Sequence, residues 1–446
     1  MLEGGLDQDS SEFANYHAYA SRVIHLKYRD IEDLAQVDHS TCIRLLQSRI
    51  PFLPKLKSFT TFHHNAPAAN NDKILLLLPS LLRSPFLSSV AHHMPTNLTW
   101  ELGQFISVLL GLEVDIRTVR LSGALPATFV SAFASLQGLK VISLVLTPES
   151  WTPELFRALL TLELVEMKLD MGGAEVLFLE QGQIAAAAIP RFPTIKKLSL
   201  SGSIQAMYRV LKIMTPQDDL RVLSLRRAPN SGMAEPNINC LYDAIAWFPA
   251  IHTLTIDYSN SKGDDPHPSH TSLGNGRLRS LTRLESLSLK SLPSSVCFSD
   301  LDILSIAHTW PFLKVLHLEH ATPASSARPM FATICQLIDE CPQLVSLAIT
   351  FDFGDFGHDT KVFSLCLRHL DLQDTVIARP LIVAKHLDRL CPNLLTFNVN
   401  SQDPGLWKQM CEIIFDAFRS VREDQQKRDY GSSCGYRLLS KNEETS

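Results

Sequence analysis

A short pattern of apolar residues, Leu-x-x-Leu-x-Leu, recurs along most of this chain and constrains its fold more than any other feature. Its clearest copy is Leu313, Leu316 and Leu318. Fourteen copies, several of them loose, begin at positions 23, 56, 87, 116, 139, 164, 195, 220, 251, 284, 313, 344, 367 and 394, so the mean spacing is (394 − 23)/13, about 28.5 residues. A fixed period of roughly 20 to 50 residues indicates a repeat architecture.

The spacing within each copy predicts a β-strand. Alternate side chains of a strand point to opposite faces, so Leu316 and Leu318 would face a core while Val315 and His317 would face outward. Leu313 would close the core where the strand begins. One such unit cannot bury its apolar face alone, so we expect neighbouring units to stack.

A second signal, a Leu, Phe, Trp or Cys followed by Pro, precedes six of the copies. These junctions are Leu53-Pro54, Phe192-Pro193, Phe248-Pro249, Trp310-Pro311, Cys341-Pro342 and Cys391-Pro392. Pro cannot continue a helix, and apolar residues upstream of several junctions have helical spacing, as in Phe331, Ile334, Cys335, Ile338 and Cys341. Helix and strand in alternation predict an α/β leucine-rich-repeat solenoid, a horseshoe or an arc, with a parallel sheet on the concave face and helices outside.

The repeat pattern also predicts the domain organisation. We expect a disordered start over residues 1–12, a degenerate leucine-rich-repeat array over 13–402, a C-terminal capping helix over 403–421 and a polar tail over 422–446. Two insertions, 226–239 and 257–280, would each follow a strand and leave the same rim of the array. They are either binding loops or neutral insertions.

Composition narrows the choice of partner and compartment. The chain of 446 residues carries 41 basic and 46 acidic residues, a net charge of −5 that argues against nucleic acid. Its nine cysteines include no Cys-x-x-Cys pair, which favours a reducing compartment. No apolar run is long enough to span a membrane. We therefore expect a cytoplasmic or nuclear protein with neither nucleic-acid nor membrane partners.

No motif in the sequence indicates catalysis, a cofactor or a metal. The loop residues His267 and His270, beside Asp264 and Asp265, lack the tight ligand pairing of zinc sites. The triplet Asp352-Phe353-Gly354 matches a kinase metal-binding triplet but has none of the accompanying kinase motifs. The sequence therefore predicts a protein that is not an enzyme.

The outward positions of the later strands are mostly small, neutral and capable of hydrogen bonding. A protein or peptide partner suits such a surface, whereas phosphate binding depends mainly on Lys and Arg. The alternative is that Ser and Thr merely tolerate a solvated sheet face. The predicted partner-binding residues are Thr253, Thr255, Ser286, Ser288, His317, His369 and Asp371.

The chain resembles the fungal F-box proteins with degenerate leucine-rich repeats. The segment from Tyr19 to Leu26 is similar to the one that follows their F-box, and Cys-Pro-x-Leu-x-x-Leu-x-Leu at Cys341 and Cys391 resembles their cysteine-containing repeats. The F-box would precede residue 13, where this chain has twelve residues and no visible F-box. The resemblance implies a substrate receptor of a cullin-type ubiquitin ligase, which would contact a protein substrate and, through an F-box, the ligase adaptor. The alternative is a ligase-independent scaffold with one protein partner.

Overall fold

Every copy of the apolar pattern contributes to a parallel β-strand. Each strand begins two residues after the first residue of its copy. The computed structural model describes residues 18–29, 53–62, 83–93, 115–126, 130, 135–174, 194–214, 219–228, 238–258, 276–292, 298–320, 328–352, 364, 366–373, 386–387 and 390–400. The chain divides into two compact units, the first comprising residues 1–251 and 260–263 and the second 252–259 and 264–446.

The strands pair in the order of the sequence within each unit. In the first unit they are β1 (His25–Arg29), β2 (Ser58–Phe62), β3 (Ser89–His93), β4 (Thr118–Gly123), β5 (Val141–Leu146), β6 (Glu166–Asp170), β7 (Lys197–Gly202) and β8 (Val222–Arg227). In the second they are β9 (Thr253–Asp257), β10 (Ser286–Leu292), β11 (Val315–His320), β12 (Ser346–Ile349), β13 (His369–Gln373) and β14 (Thr396–Asn400).

The register of these strands aligns the pattern's apolar residues into continuous buried ladders. Leu287, Leu316, Leu347 and Leu370 are cross-strand neighbours in the second unit, and each is at most 3% exposed. The corresponding ladder of the first unit includes Phe59, Val90, Val119, Ile142, Met167, Leu198 and Leu223, all buried. The predicted division into inward and outward positions is therefore confirmed.

Backbone hydrogen bonds hold the same register just ahead of the strands. The carbonyl of Glu285 accepts the N–H groups of both Lys314 and Val315, and the carbonyl of Lys314 accepts those of Val345 and Ser346. The same sharing of one carbonyl by two N–H groups recurs from Ile24 through β8 in the first unit and at the entrances of β10 to β14 in the second. The start of each strand is thus held in register by a backbone carbonyl of the preceding repeat.

The Pro junctions form one recurring turn. The N–H of Leu313 donates to the carbonyl of Trp310, and the same i to i+3 bond joins Ile251 to Phe248. Pro at the second position of such a turn has the backbone angle that the turn needs. The residue before Pro is buried in each described junction, at Leu53, Phe248, Trp310, Cys341 and Cys391. The junction therefore has two effects: it ends the preceding segment, and its buried residue anchors that segment to the core.

Five α-helices have both ends within the part of the chain that the structure describes. They are α1 (Pro153–Leu160), α2 (Ile204–Ile213), α3 (Ile238–Ile245), α4 (Asp300–Thr309) and α5 (Phe331–Glu340). Ser299 caps α4 in a reciprocal capping box with Asp302, which satisfies N–H groups that the first turn would otherwise leave unpaired. The predicted apolar stripe of α5 is buried. Repeated strand, turn and helix with stacked ladders make this chain a leucine-rich-repeat solenoid of the α/β class.

The structure corrects the bounds of both insertions. Residues 226–227 belong to β8 and 238–239 to α3, while Asp257 ends β9 and Arg277–Ser280 form a short 3-10 helix. The regular elements extend into these polar segments, where Tyr258 and Leu278 pack in the core and Arg227 is also buried. The remainder of both insertions, the start over 1–12, the capping helix over 403–421 and the tail over 422–446 lie outside the described residues.

Candidate functional site

The candidate site is the face of the sheet opposite the buried ladders, which we name the open face. In the second unit its side chains form rows across the strands. The first row is Thr253, Ser286, Val315, Ser346, His369 and Thr396, and the second is Thr255, Ser288, His317, Ala348, Asp371 and Asn398. All seven residues predicted to bind a partner fall in these two rows. The strand register thus brings them together, while their role in binding stays a prediction.

Two histidines form hydrogen bonds with hydroxyl side chains of neighbouring strands. The Nε2 atom of His317 lies 2.8 Å from the Oγ atom of Ser346, and the Nδ1 atom of His369 lies 2.7 Å from the Oγ1 atom of Thr396. Each pair shares one hydrogen bond, in which the ring tautomer decides the donor. Because the partners are on different strands, these bonds fix the orientation of both rings on the open face.

Charged groups surround His317. Its Nδ1 atom lies 3.8 Å from Oε1 of Glu319, yet its pKa is lowered because burial disfavours the imidazolium and outweighs the attraction of Glu319. Lys290 and His369 lower that pKa further. Burial and the nearby Glu319 raise the pKa of Asp371. The site therefore combines partly buried hydrogen-bonding groups with a few charges of both signs.

Ser288 is the one buried residue among the seven predicted to bind a partner. It lies in the second row, but it is only 6% exposed, and its Oγ atom has no hydrogen-bond partner. Its cross-strand neighbours are Thr255 and His317, and the shorter Ser side chain lies between them. The row position of Ser288 follows from its strand, whereas its burial depends on the size of its neighbours, and its role in binding stays a prediction.

The lowered pKa of His317 gives a pH prediction. In the folded protein the ring takes up its proton at lower pH than in the unfolded chain, where the ordinary value is about 6.5. The unfolded state therefore binds more protons in that interval, and stability falls as pH drops below about 6.5. We expect the wild type to lose stability relative to His317→Gln between about pH 7.5 and about pH 5.5.

Urea midpoints of the two proteins at both pH values measure this difference. Asp371 and Glu319 are present in both proteins, so their titration cancels to first order. The matched control is His308→Gln, which changes an exposed histidine of α4. If wild type and His317→Gln changed in parallel while pH fell, burial of the His317 ring would not govern its titration.

The described residues contain no group of three or more His, Cys, Asp or Glu side chains that could hold a metal ion. Burial raises the pKa of the Cys335 thiol to about 11 and, with a contribution from Glu340, that of Cys341 to about 12. Such thiols are protonated near neutral pH and are poor nucleophiles. Both are buried in the core, Cys335 within α5 and Cys341 at the junction with Pro342. None of the described helices is both long and apolar enough to cross a membrane.

Sequence reasoning missed the charged residues on the open face of the first unit. Lys27, Arg120 and Lys168 occupy outward positions of β1, β4 and β6 and are exposed. They belong to loose copies of the apolar pattern, whereas the predicted partner-binding residues all come from the later strands. Applying the same frame to the earlier copies would have found them, because all strands begin at the same offset from their copies.

Comparison with known proteins adds little to this description. No family model matches the chain, and no curated protein matches it. Among solved structures, an internalin (InlF) from Listeria monocytogenes is similar over 88% of this chain and 95% of that chain, at 10% sequence identity and a TM-score of 0.41. The fold assignment rests instead on the strand register and the buried ladders.

Proposed function

We propose that this chain is a protein-recognition module that binds its partner on the open face, as the substrate receptor of a cullin-type ubiquitin ligase. The observation that supports binding is the arrangement of the open face of the second unit. Its hydroxyl, imidazole and carboxyl groups lie side by side on six adjacent strands, and the buried ladders lie on the opposite face. These groups contribute little to the core, and they offer hydrogen bonds along a continuous surface.

The chemistry of that surface favours a protein over a polyanion. Glu319 lies 3.8 Å from His317 and raises the pKa of Asp371, while Lys290 and His369 oppose protonation of the His317 ring. Polyanions such as nucleic acids depend on many Lys and Arg contacts to phosphate. Protein interfaces instead combine hydrogen bonds with a mixture of charges. The ligase role rests on the resemblance of the Tyr19–Leu26 segment and of the Cys-Pro repeats to F-box proteins.

Affinity purification of the tagged full chain from its own cells, followed by mass spectrometry, tests both parts of this proposal. The variant is Thr255→Arg with Asp371→Arg on the open face. The matched control is Gln336→Arg with Asp339→Arg, which makes the same charge change on exposed positions of α5. We expect a protein partner that the control retains and the open-face variant loses, with circular dichroism confirming that both fold.

The subunits recovered decide between the two roles. A cullin and its adaptor among the retained proteins would support the ligase role, whereas a stable partner without them would indicate a ligase-independent scaffold. Equal recovery of every partner by the two double variants would contradict binding on the open face of the second unit.

A further inference from the structure

We propose that the open face of the first unit binds an acidic segment of a protein partner through Lys27, Arg120 and Lys168. This inference rests on the proposed protein-recognition function and names a chemistry for the part of the partner that the first unit contacts. Ionised Asp or Glu side chains of an extended peptide would pair with the three cations.

The three cations belong to one row across the sheet. That row is Lys27, Thr60, Ala91, Arg120, Ser143, Lys168, Ser199 and Ser224. The residues between the cations are small, so the long side chains of Lys27, Arg120 and Lys168 stand above their surroundings. A peptide backbone can lie over the small residues while its carboxylates reach the cations.

None of the three cations has a carboxylate partner among the described residues. Some other basic residues of the first unit are paired, as Arg117 is with Asp115 at 3.0 Å and Lys140 is with Glu163 at 3.0 Å. Even Lys197, on the adjacent row of the same face, lies 3.7 Å from Glu166. These three cations therefore share one row of the open face, and a carboxylate bound there would be attracted without displacing an internal carboxylate of the described residues.

An aromatic pair lies next to the central cation. The rings of Phe62 and His93 stack with their centroids 4.8 Å apart and an interplanar angle of 8°. The register pairs Arg120 with Ala91, two residues before His93, and Arg120 lowers the pKa of His93 in addition to the larger effect of burial. Val145, on the same side of the row, is 42% exposed. These apolar surfaces would exclude water from one side of a carboxylate bound at Arg120 and would accept an apolar residue of the peptide.

The spacing of the strands sets the length of the segment. Lys27 and Lys168 are on β1 and β6, five strand spacings apart, and at about 4.8 Å per spacing the row extends about 24 Å between them. An extended peptide rises about 3.4 Å per residue, so about eight residues cover this distance. An acidic segment of that length can contact all three cations at once.

A protein segment fits this row better than a nucleic acid does. Three cations are few for a ligand whose affinity comes from neutralising many phosphates. The same face also carries Glu166, which lies 3.7 Å from Lys197, and Asp170, which accepts the N–H of Gly172. A peptide whose acidic and neutral residues alternate can place a neutral residue beside these carboxylates, whereas a phosphate backbone is charged at every nucleotide. Phe62 is stacked on His93, so its ring face is already partly occupied where a base would have to stack.

Fluorescence anisotropy with the full chain tests the proposal. The probe is a labelled peptide of about eight residues in which Glu alternates with Ser, and its neutral counterpart has Gln in place of Glu. The variant is Arg120→Gln with Lys168→Gln, and the control is Arg83→Gln with Lys55→Gln, which removes the same charges from exposed residues ahead of β2 and β3. We expect the variant to weaken binding of the acidic peptide about tenfold and the control to leave it unchanged.

Two further results are expected. Raising NaCl from about 50 mM to about 200 mM should weaken binding of the acidic peptide, because the contacts are exposed charges. The Gln peptide should bind much more weakly than the Glu peptide. Equal affinities of the wild type and the Arg120/Lys168 variant for the Glu peptide would overturn the proposal, as would preference for a single-stranded oligonucleotide over that peptide.

Failure of the inference about the first unit can be distinguished from failure of the proposed recognition function. If the Arg120/Lys168 variant binds the acidic peptide normally while Thr255→Arg with Asp371→Arg loses its cellular partner, only the inference about the first unit fails. If no variant of either open face loses a partner, the recognition function itself fails.

Discussion

Replacing Trp310 with Ala is expected to destabilise the protein by about 3–5 kcal/mol, as truncation of a buried Trp does. Trp310 is 2% exposed and follows the last turn of α4, where its N–H donates to the carbonyl of Ile306. Its own carbonyl accepts from Leu313 at the turn into β11 and from the Cys341 thiol of the next repeat. The indole thus fills the core at the point where helix, turn and neighbouring repeat meet.

Trp310→Phe is the informative control, because the Nε1 atom of Trp310 is buried without a hydrogen-bond partner. Phe keeps most of the ring volume and removes that unsatisfied donor, so its cost should be well below that of Ala. Urea unfolding followed by far-ultraviolet circular dichroism measures both. A cost for Phe as large as that for Ala would mean that volume at this position does not determine stability.

Leu316→Ala is expected to destabilise the protein by about 2–5 kcal/mol. Leu316 is fully buried in the ladder between Leu287 and Leu347, so its loss leaves a cavity lined by the side chains of two adjacent repeats. Packed repeats on both sides limit the collapse of that cavity, and the cost increases with the volume that remains.

Ser288→Ala is the matched control for Leu316→Ala. Ser288 is also buried, but it lies on the open face, and its hydroxyl has no hydrogen-bond partner. Removing an unsatisfied buried hydroxyl should leave stability unchanged or raise it slightly. Equal denaturant midpoints for the two variants would contradict the assignment of Leu316 to the core and Ser288 to the open face.

The sequence was sufficient to predict the repeat architecture because its signals are local and periodic. The apolar triplet requires only that alternate side chains share a face, and the Pro junction requires only that a helix end there. Both recur, so a weak copy such as the one at Val23 could be placed by its distance from stronger ones, and β1 begins at His25 as that distance predicts.

The candidate site was less predictable because it depends on neighbours in the fold. The position of His317 on the open face follows from its strand, whereas its bond to Ser346 depends on the rotamers of two side chains 29 residues apart in the sequence. The burial of Ser288 depends on Thr255 and His317 together. The row containing Arg120 could have been found from the repeat frame, but its lack of carboxylate partners required the surrounding side chains to be seen.

The shared backbone carbonyls have a consequence for how such a chain can evolve. The repeats are aligned by main-chain groups and inward side chains, neither of which depends on the outward side chain of the same strand. Substitutions at positions such as Thr255 or Ser143 therefore alter what the surface recognises while leaving the alignment of repeats intact. Stability and specificity reside in alternate residues of each strand, so a lineage could acquire a new ligand by changing outward residues alone.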